Sequence, residues 1–153
     1  MELFLKDSRA TEQLGELLGG LVEEGDVICL TGDLGAGKTL LSQGVAVALG
    51  VAAEEVTSPT FTIMNIYAGT ELEIHHFDLY RLNSPEELED IGFDEYCGNE
   101  GVTLIEWAEL FPENLPEDYL QITLLHEAEG RKAILEAQGE RSCLLLQEVE
   151  KAC

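Results

Sequence analysis

Positive charge is what this chain has least of. Eight lysines and arginines stand against 31 aspartates and glutamates, giving 153 residues a net charge of −23 at pH 7. So acidic a surface opposes a bare approach to a nucleic acid backbone or an anionic membrane, so any RNA that matters to this protein is held by something else. Long apolar runs are missing too: no window approaches the ~18 apolar residues that cross a bilayer, and Met1 to Lys6 does not read as a signal peptide. The expectation is a cytoplasmic protein with no membrane and no DNA partner. Cys29, Cys97, Cys143 and Cys153 are scattered, with no C-x-x-C pair and no histidine at metal-ligand spacing. Neither a zinc site nor a disulfide framework is signalled, and Cys29 reads as a small apolar residue of a buried strand. With 45% hydrophobic residues the chain suits one domain over 1–153.

Against these absences one stretch stands out. Gly32-Asp33-Leu34-Gly35-Ala36-Gly37-Lys38-Thr39 fits the phosphate-loop pattern G-x-x-x-x-G-K-[ST] at every required position. Glycines let the backbone wrap closely, so successive N–H groups point at phosphate oxygens. Lys38 adds a positive charge, Thr39 offers its hydroxyl to magnesium, and the helix that opens here presents its positive dipole end. The context agrees: Val27-Ile28-Cys29-Leu30 reads as a buried strand before the loop. Leu41, Val45, Ala48 and Leu49 recur at helical spacing after it, with Gly50 placed to end the helix.

Around this centre the rest falls into order. Glu2 to Lys6 reads as an edge strand, and Ser8 or Asp7 caps a helix with Ala10, Leu14, Leu17, Leu18 and Leu21 on one face. Thr57-Ser58-Pro59-Thr60 is a polar loop, with Pro59 forcing Ser58 into extended backbone. Phe61 to Tyr67 and Leu72 to Asp78 form a hairpin around Ala68 to Glu71, a register that sets Phe61 opposite Asp78. That hairpin brings the 57–60 loop and His76-Phe77-Asp78 to one end. Ser84-Pro85-Glu86-Glu87 starts a helix through a capping box, and Gly92 ends it. Val102 to Ile105 is a short strand ending in Glu106, an acid suited to a second magnesium contact. Tyr119 to Leu125 and Lys132 to Ala137 read as a hairpin around Gly130, and Arg141 to Lys151 as a last helix.

These residues together resemble the bacterial TsaE family, also called YjeE, the small ATPases of tRNA threonylcarbamoyladenosine synthesis. The resemblance rests on the phosphate loop, Thr57-Ser58-Pro59-Thr60-Phe61, His76-Phe77-Asp78-Leu79-Tyr80-Arg81, Ile105-Glu106-Trp107 and Gly130-Arg131. It covers nearly the whole chain in the same motif order. It implies a P-loop NTPase-like three-layer α/β sandwich, its mostly parallel central sheet extended by antiparallel strands. It further implies that Leu34, Gly35, Ala36, Gly37, Lys38, Thr39 and Leu40 hold ATP, that Thr39 and Glu106 hold magnesium, and that Thr11 and Arg131 contact the base or sugar. Asp78 positions or activates water, or reaches the magnesium shell; with Glu106 and Lys38 it makes the catalytic set. The 57–60 stretch resembles a switch loop that responds to the terminal phosphate. The implied partners are TsaB and TsaD, with tRNA reached only through that complex.

Beside the resemblance, Trp107 reads as core or as a partner contact, His75 and His76 as strand residues rather than ligands, and Arg81 as a salt-bridge partner before an internal positive charge on the transition state. The rival function is a small-molecule kinase on the same loop. It needs a cationic lid, and only Arg9, Arg81, Arg131 and Arg141 are available to build one. A GTPase lacks its N-K-x-D and D-x-x-G signatures here.

Overall fold

The central strands are apolar on both faces, which dictates helices above and below the sheet. The structure, a computed structural model, describes residues 1–33 and 37–153. Its strands are β1 (Glu2–Leu5), β2 (Val27–Gly32), β3 (Met64–Ala68), β4 (Glu73–Asp78), β5 (Val102–Glu106), β6 (Tyr119–Glu127) and β7 (Gly130–Gln138). Its helices are α1 (Ser8–Leu21), α2 (Lys38–Ala48), α3 (Pro85–Asp90), α4 (Phe93–Tyr96) and α5 (Glu140–Ala152). The 7-stranded sheet has the order β1-β7-β6-β2-β5-β4-β3. Strands β4, β5, β2 and β6 run parallel, and β3 and β7 flank them antiparallel, with β1 antiparallel to β7 at the edge. This is the three-layer sandwich the sequence implies.

Alternation divides the core. Ile28, Leu30, Ile74, Leu104 and Ile122 face α1, α2 and α5, where Leu18, Leu41, Val45 and Leu145 meet them. Val27, Cys29, Phe77 and Ile105 face the thinner second layer, built on Leu88 of α3, Phe93 of α4 and Phe111. Asp7 caps α1, its carboxylate accepting from the Ala10 N–H at 2.8 Å. Helices α1 and α2 meet through glycine: a Cβ on Gly44 would sit 2.3 Å from the Glu12 carbonyl oxygen, and one on Gly15 2.3 Å from that of Leu41. Such close approach leaves no room for side chains at either position.

The hairpin register differs from the expected one. Met64 pairs with Phe77 and Ala68 with Glu73, which sets Ile63, not Phe61, level with Asp78. A turn starting at Pro59 takes up the preceding residues: the Ile63 N–H donates to the Pro59 carbonyl at 2.7 Å, and Ile63 has φ 69°. The shift is two residues, so every side chain keeps its face. At α3, Ser84 occupies the cap position without a side-chain bond, and the Glu87 carboxylate instead accepts from the Asn83 N–H at 3.0 Å. The later hairpin and α5 follow the reading, with Ala128-Glu129 as the connection.

Candidate functional site

Both acids of the site come from neighbouring strand ends. In the parallel β4–β5 ladder Asp78 lies beside Glu106, and in the β2–β5 ladder Leu30 lies beside the same Glu106. The carboxyl ends of these strands therefore finish together, the place where open α/β sheets bind ligands. Helix α2 begins there, with Gly37 as its cap at φ 106°, a backbone only glycine holds without strain. Alternation then selects the face: Ile74, His76 and Asp78 on β4, and Val102, Leu104 and Glu106 on β5, all point towards α2.

A cleft of about 290 Å³ opens at this point. Gly37, Lys38, Thr39 and Leu40 line one wall, Asp78, Glu106 and Trp107 another, and Ser58 and Thr60 of the preceding loop close a third. Its charged groups are buried, with Asp78 2%, Glu106 3% and Lys38 8% exposed. Lys38 Nζ is 4.0 Å from Glu106 Oε1 and 4.5 Å from the centre of the Trp107 ring. Asp78 Oδ2 accepts from the Thr60 hydroxyl at 3.1 Å, and Oδ1 from the Tyr80 N–H at 2.9 Å. The loop and the strand end do meet, as the hairpin reading requires.

A second cavity of about 240 Å³ adjoins, sharing Leu40 and lined by Thr11, Arg131, Lys6, Asp7, Ser8 and Gly130. Gly37 lies between the two: a Cβ there would come 3.4 Å from Thr11 Cγ2 and 3.9 Å from Arg131 Nε. Every candidate site residue that is described thus lines one cavity or the other. Leu34, Gly35 and Ala36 lie outside the described residues.

An α2 start turned towards two buried strand-end acids, on a sheet of this order, marks the chain as an α/β protein of the P-loop NTPase-like class. Comparison with known proteins narrows the class. The family model for threonylcarbamoyl adenosine biosynthesis protein TsaE matches residues 5–134. The TsaE protein of Bacillus subtilis is 40% identical over 142 residues, 92% of this chain and 88% of that one. Its counterpart in Treponema pallidum is 42% identical over 134 residues, 88% of this chain and 98% of that one. The crystal structure of Bacillus subtilis YdiB superposes with a TM-score of 0.82 at 33% identity, covering 99% of this chain and 95% of that one. The chain belongs to the TsaE family, and its role lies in the biosynthesis of tRNA threonylcarbamoyladenosine.

Three features escaped the sequence reading. His76 is fully buried, with Nε2 2.7 Å from Glu106 Oε2, so it is a partner of the site rather than only a strand residue. Period-2 alternation from Asp78 was the available signal, since it puts His76 on the site face. Trp107 packs half-buried against the second core layer, as the core reading has it, but at φ 64° it also lies 4.9 Å from the Tyr80 ring and under Lys38 at the cleft. Arg81 stacks over Phe61 at 4.4 Å instead of pairing with a carboxylate among the described residues.

Proposed function

We propose that this chain is the magnesium-dependent ATP-binding and ATP-hydrolysing subunit of threonylcarbamoyladenosine formation, acting on the TsaB–TsaD complex. The observation that carries the reading is the meeting of Lys38, Glu106, Asp78 and the Thr60 hydroxyl in one cleft at the start of α2. Such a cleft suits phosphates: the helix start and Lys38 supply positive potential. The adjoining cavity with Thr11 and Arg131 suits the sugar or base, and the two cavities together have the size of a small-molecule site.

Magnesium fits the donors present. The Thr39 hydroxyl and the Glu106 carboxylate, both lining the cleft, are hard oxygen donors that would hold the cation, which would neutralise charge developing on the phosphates. Asp78 is suited to orient the attacking water. Its carboxylate has about four acceptor sites, of which the Thr60 hydroxyl and the Tyr80 N–H occupy one each. With a net charge of −23 the chain is a poor tRNA binder but can dock on a protein.

The test is ATP hydrolysis by the purified chain with magnesium, alone and with TsaB, TsaD and tRNA from the same source. Turnover stimulated by the partners and abolished in Lys38→Ala supports the reading. Tight ATP binding without stimulation overturns the partner assignment, and no ATP binding overturns the whole.

A further inference from the structure

A buried hydrogen-bond chain leads from Glu106 out of the cleft and returns to the loop that closes it. Glu106 Oε2 meets His76 Nε2 at 2.7 Å, and His76 Nδ1 meets the Tyr67 hydroxyl at 3.3 Å. The same hydroxyl lies 3.0 Å from the Thr57 carbonyl and accepts from the Thr57 N–H at 3.4 Å and from Asn65 Nδ2 at 3.3 Å. His76 is fully buried and Tyr67 is 7% exposed, so bulk water does not enter between Glu106 and Tyr67, while the Thr57 end reaches the surface. Thr57 is where the 57–60 loop, whose Ser58 and Thr60 line the cleft, leaves the fold.

The geometry makes the links of this chain mutually dependent. A carboxylate only accepts, so His76 Nε2 donates to Glu106 Oε2. The Tyr67 hydroxyl has a single proton, and His76 Nδ1 and the Thr57 carbonyl both lie within its reach. A change in its bond to the root of the loop therefore changes its bond to the imidazole, and through the imidazole the setting of Glu106.

We propose that His76 and Tyr67 are positioning residues that couple the 57–60 loop to the Glu106 carboxylate. His76 holds Oε2 and leaves Oε1 turned to Lys38 and the cleft, while Tyr67 transmits the loop's position to His76. This inference rests on the nucleotide and magnesium reading of the cleft.

The experiment uses the full chain as wild type, Tyr67→Phe and His76→Gln. It measures two things with a non-hydrolysable ATP analogue: the magnesium concentration at half-maximal enhancement of binding, by calorimetry, and hydrogen exchange of residues 57–63. Wild type should show magnesium-dependent protection of that segment. Tyr67→Phe keeps the ring and removes only the link. It should bind the analogue in EDTA as wild type does, shift the magnesium midpoint by more than about twofold and lose the magnesium-dependent protection, since coupling between two sites is reciprocal. His76→Gln loosens Glu106 itself and should raise the magnesium midpoint on the order of 10-fold, the usual size of an effect on a ligand's supporting partner. Thermal unfolding of both variants separates a folding defect from uncoupling, and Tyr67→Phe alone still decides the matter if His76→Gln does not fold. Wild-type midpoint and protection in Tyr67→Phe would overturn the relay while leaving the nucleotide reading intact. Absence of analogue binding or of any magnesium effect in wild type would overturn that reading and the relay with it.

Discussion

At the scale of single residues, the cleft separates groups that bind from groups that act late. Lys38 contacts a carboxylate and a ring face, and both persist without it: His76 still holds Glu106, and Tyr80 still flanks Trp107. Lys38→Ala should therefore leave the fold intact and weaken ATP-analogue binding by about 2–4 kcal/mol, the size of one lost charged contact in a dry site, read by titration calorimetry. Asp78→Asn differs, because the amide keeps one acceptor, for either the Thr60 hydroxyl or the Tyr80 N–H, but loses the charge that orients water. Binding should change less than threefold while turnover falls about 100-fold; equal losses in both would assign Asp78 to binding. The thiols give an independent check on burial. Burial pushes the Cys29 thiol far up and the Cys97 thiol up to about 12, whereas Cys143 and Cys153 are exposed. Thiolate is the reactive form. At pH 8 the native chain should label rapidly at Cys143 and Cys153, and at Cys29 and Cys97 only after denaturation, as read by peptide mass.

At the scale of elements, α5 is held by a carboxylate from outside it. Asp118 accepts from the backbone N–H of Arg141 at 2.8 Å and of Ser142 at 2.9 Å, and the Ser142 hydroxyl joins them. Burial by itself raises the Asp118 pKa, but the bonds from Ser142 and from the two N–H groups, with the Arg141 charge, outweigh it and hold it below the ordinary value. A folded pKa below the unfolded one stabilises the protein above the unfolded value, and that stability is lost as pH falls through the folded one. Asp118→Ala should cost about 1 kcal/mol at pH 7, as loss of a helix cap does, and the difference from wild type in urea unfolding should shrink below about pH 4. This contact joins residues far apart in sequence, which is why nothing local announced it. The elements themselves were legible, since periodicity and turn residues are local signals: the strand before the phosphate loop, α2 after it and the hairpin at Gly130 all follow from them. The β3–β4 register was not, because Phe61-Thr62-Ile63 alternates like a strand while the Pro59 turn and the left-handed Ile63 remove it from the ladder. Of the site, acids at strand ends were legible as types. Their meeting depends on Asp78 and Glu106 sharing a level in a parallel ladder, which no local pattern encodes.

For the whole molecule, the distribution of charge matters more than its sum. Of the eight basic residues, Lys6, Lys38 and Arg131 line the two cavities beside the start of α2, where they balance Asp7, Asp78 and Glu106, so the acidic excess lies outside the place where an anion would sit. The remainder of the surface is left to repel itself. Ion pairs offset little of this. Arg9 with Glu12 and Glu16, and Lys151 with Glu148, are exposed contacts of the sort worth a fraction of a kcal/mol. Salt weakens those pairs and the repulsion alike, but the acidic excess of 23 far outnumbers the pairs, so screening the repulsion wins. Raising NaCl from about 0.02 to 0.2 M shortens the screening length from roughly 20 Å to 7 Å. The thermal midpoint should rise by about 2–4 °C, equivalent to roughly 1 kcal/mol for a chain of this length. A midpoint that fell with NaCl would mean that specific ion pairs, rather than the unbalanced surface, dominate the electrostatics of folding. The same screening should speed association of an anionic nucleotide at long range while weakening its close contacts with Lys38 and Arg131. Stopped-flow association and dissociation rates should therefore both increase with salt, a pattern that a protein with balanced charge would not give.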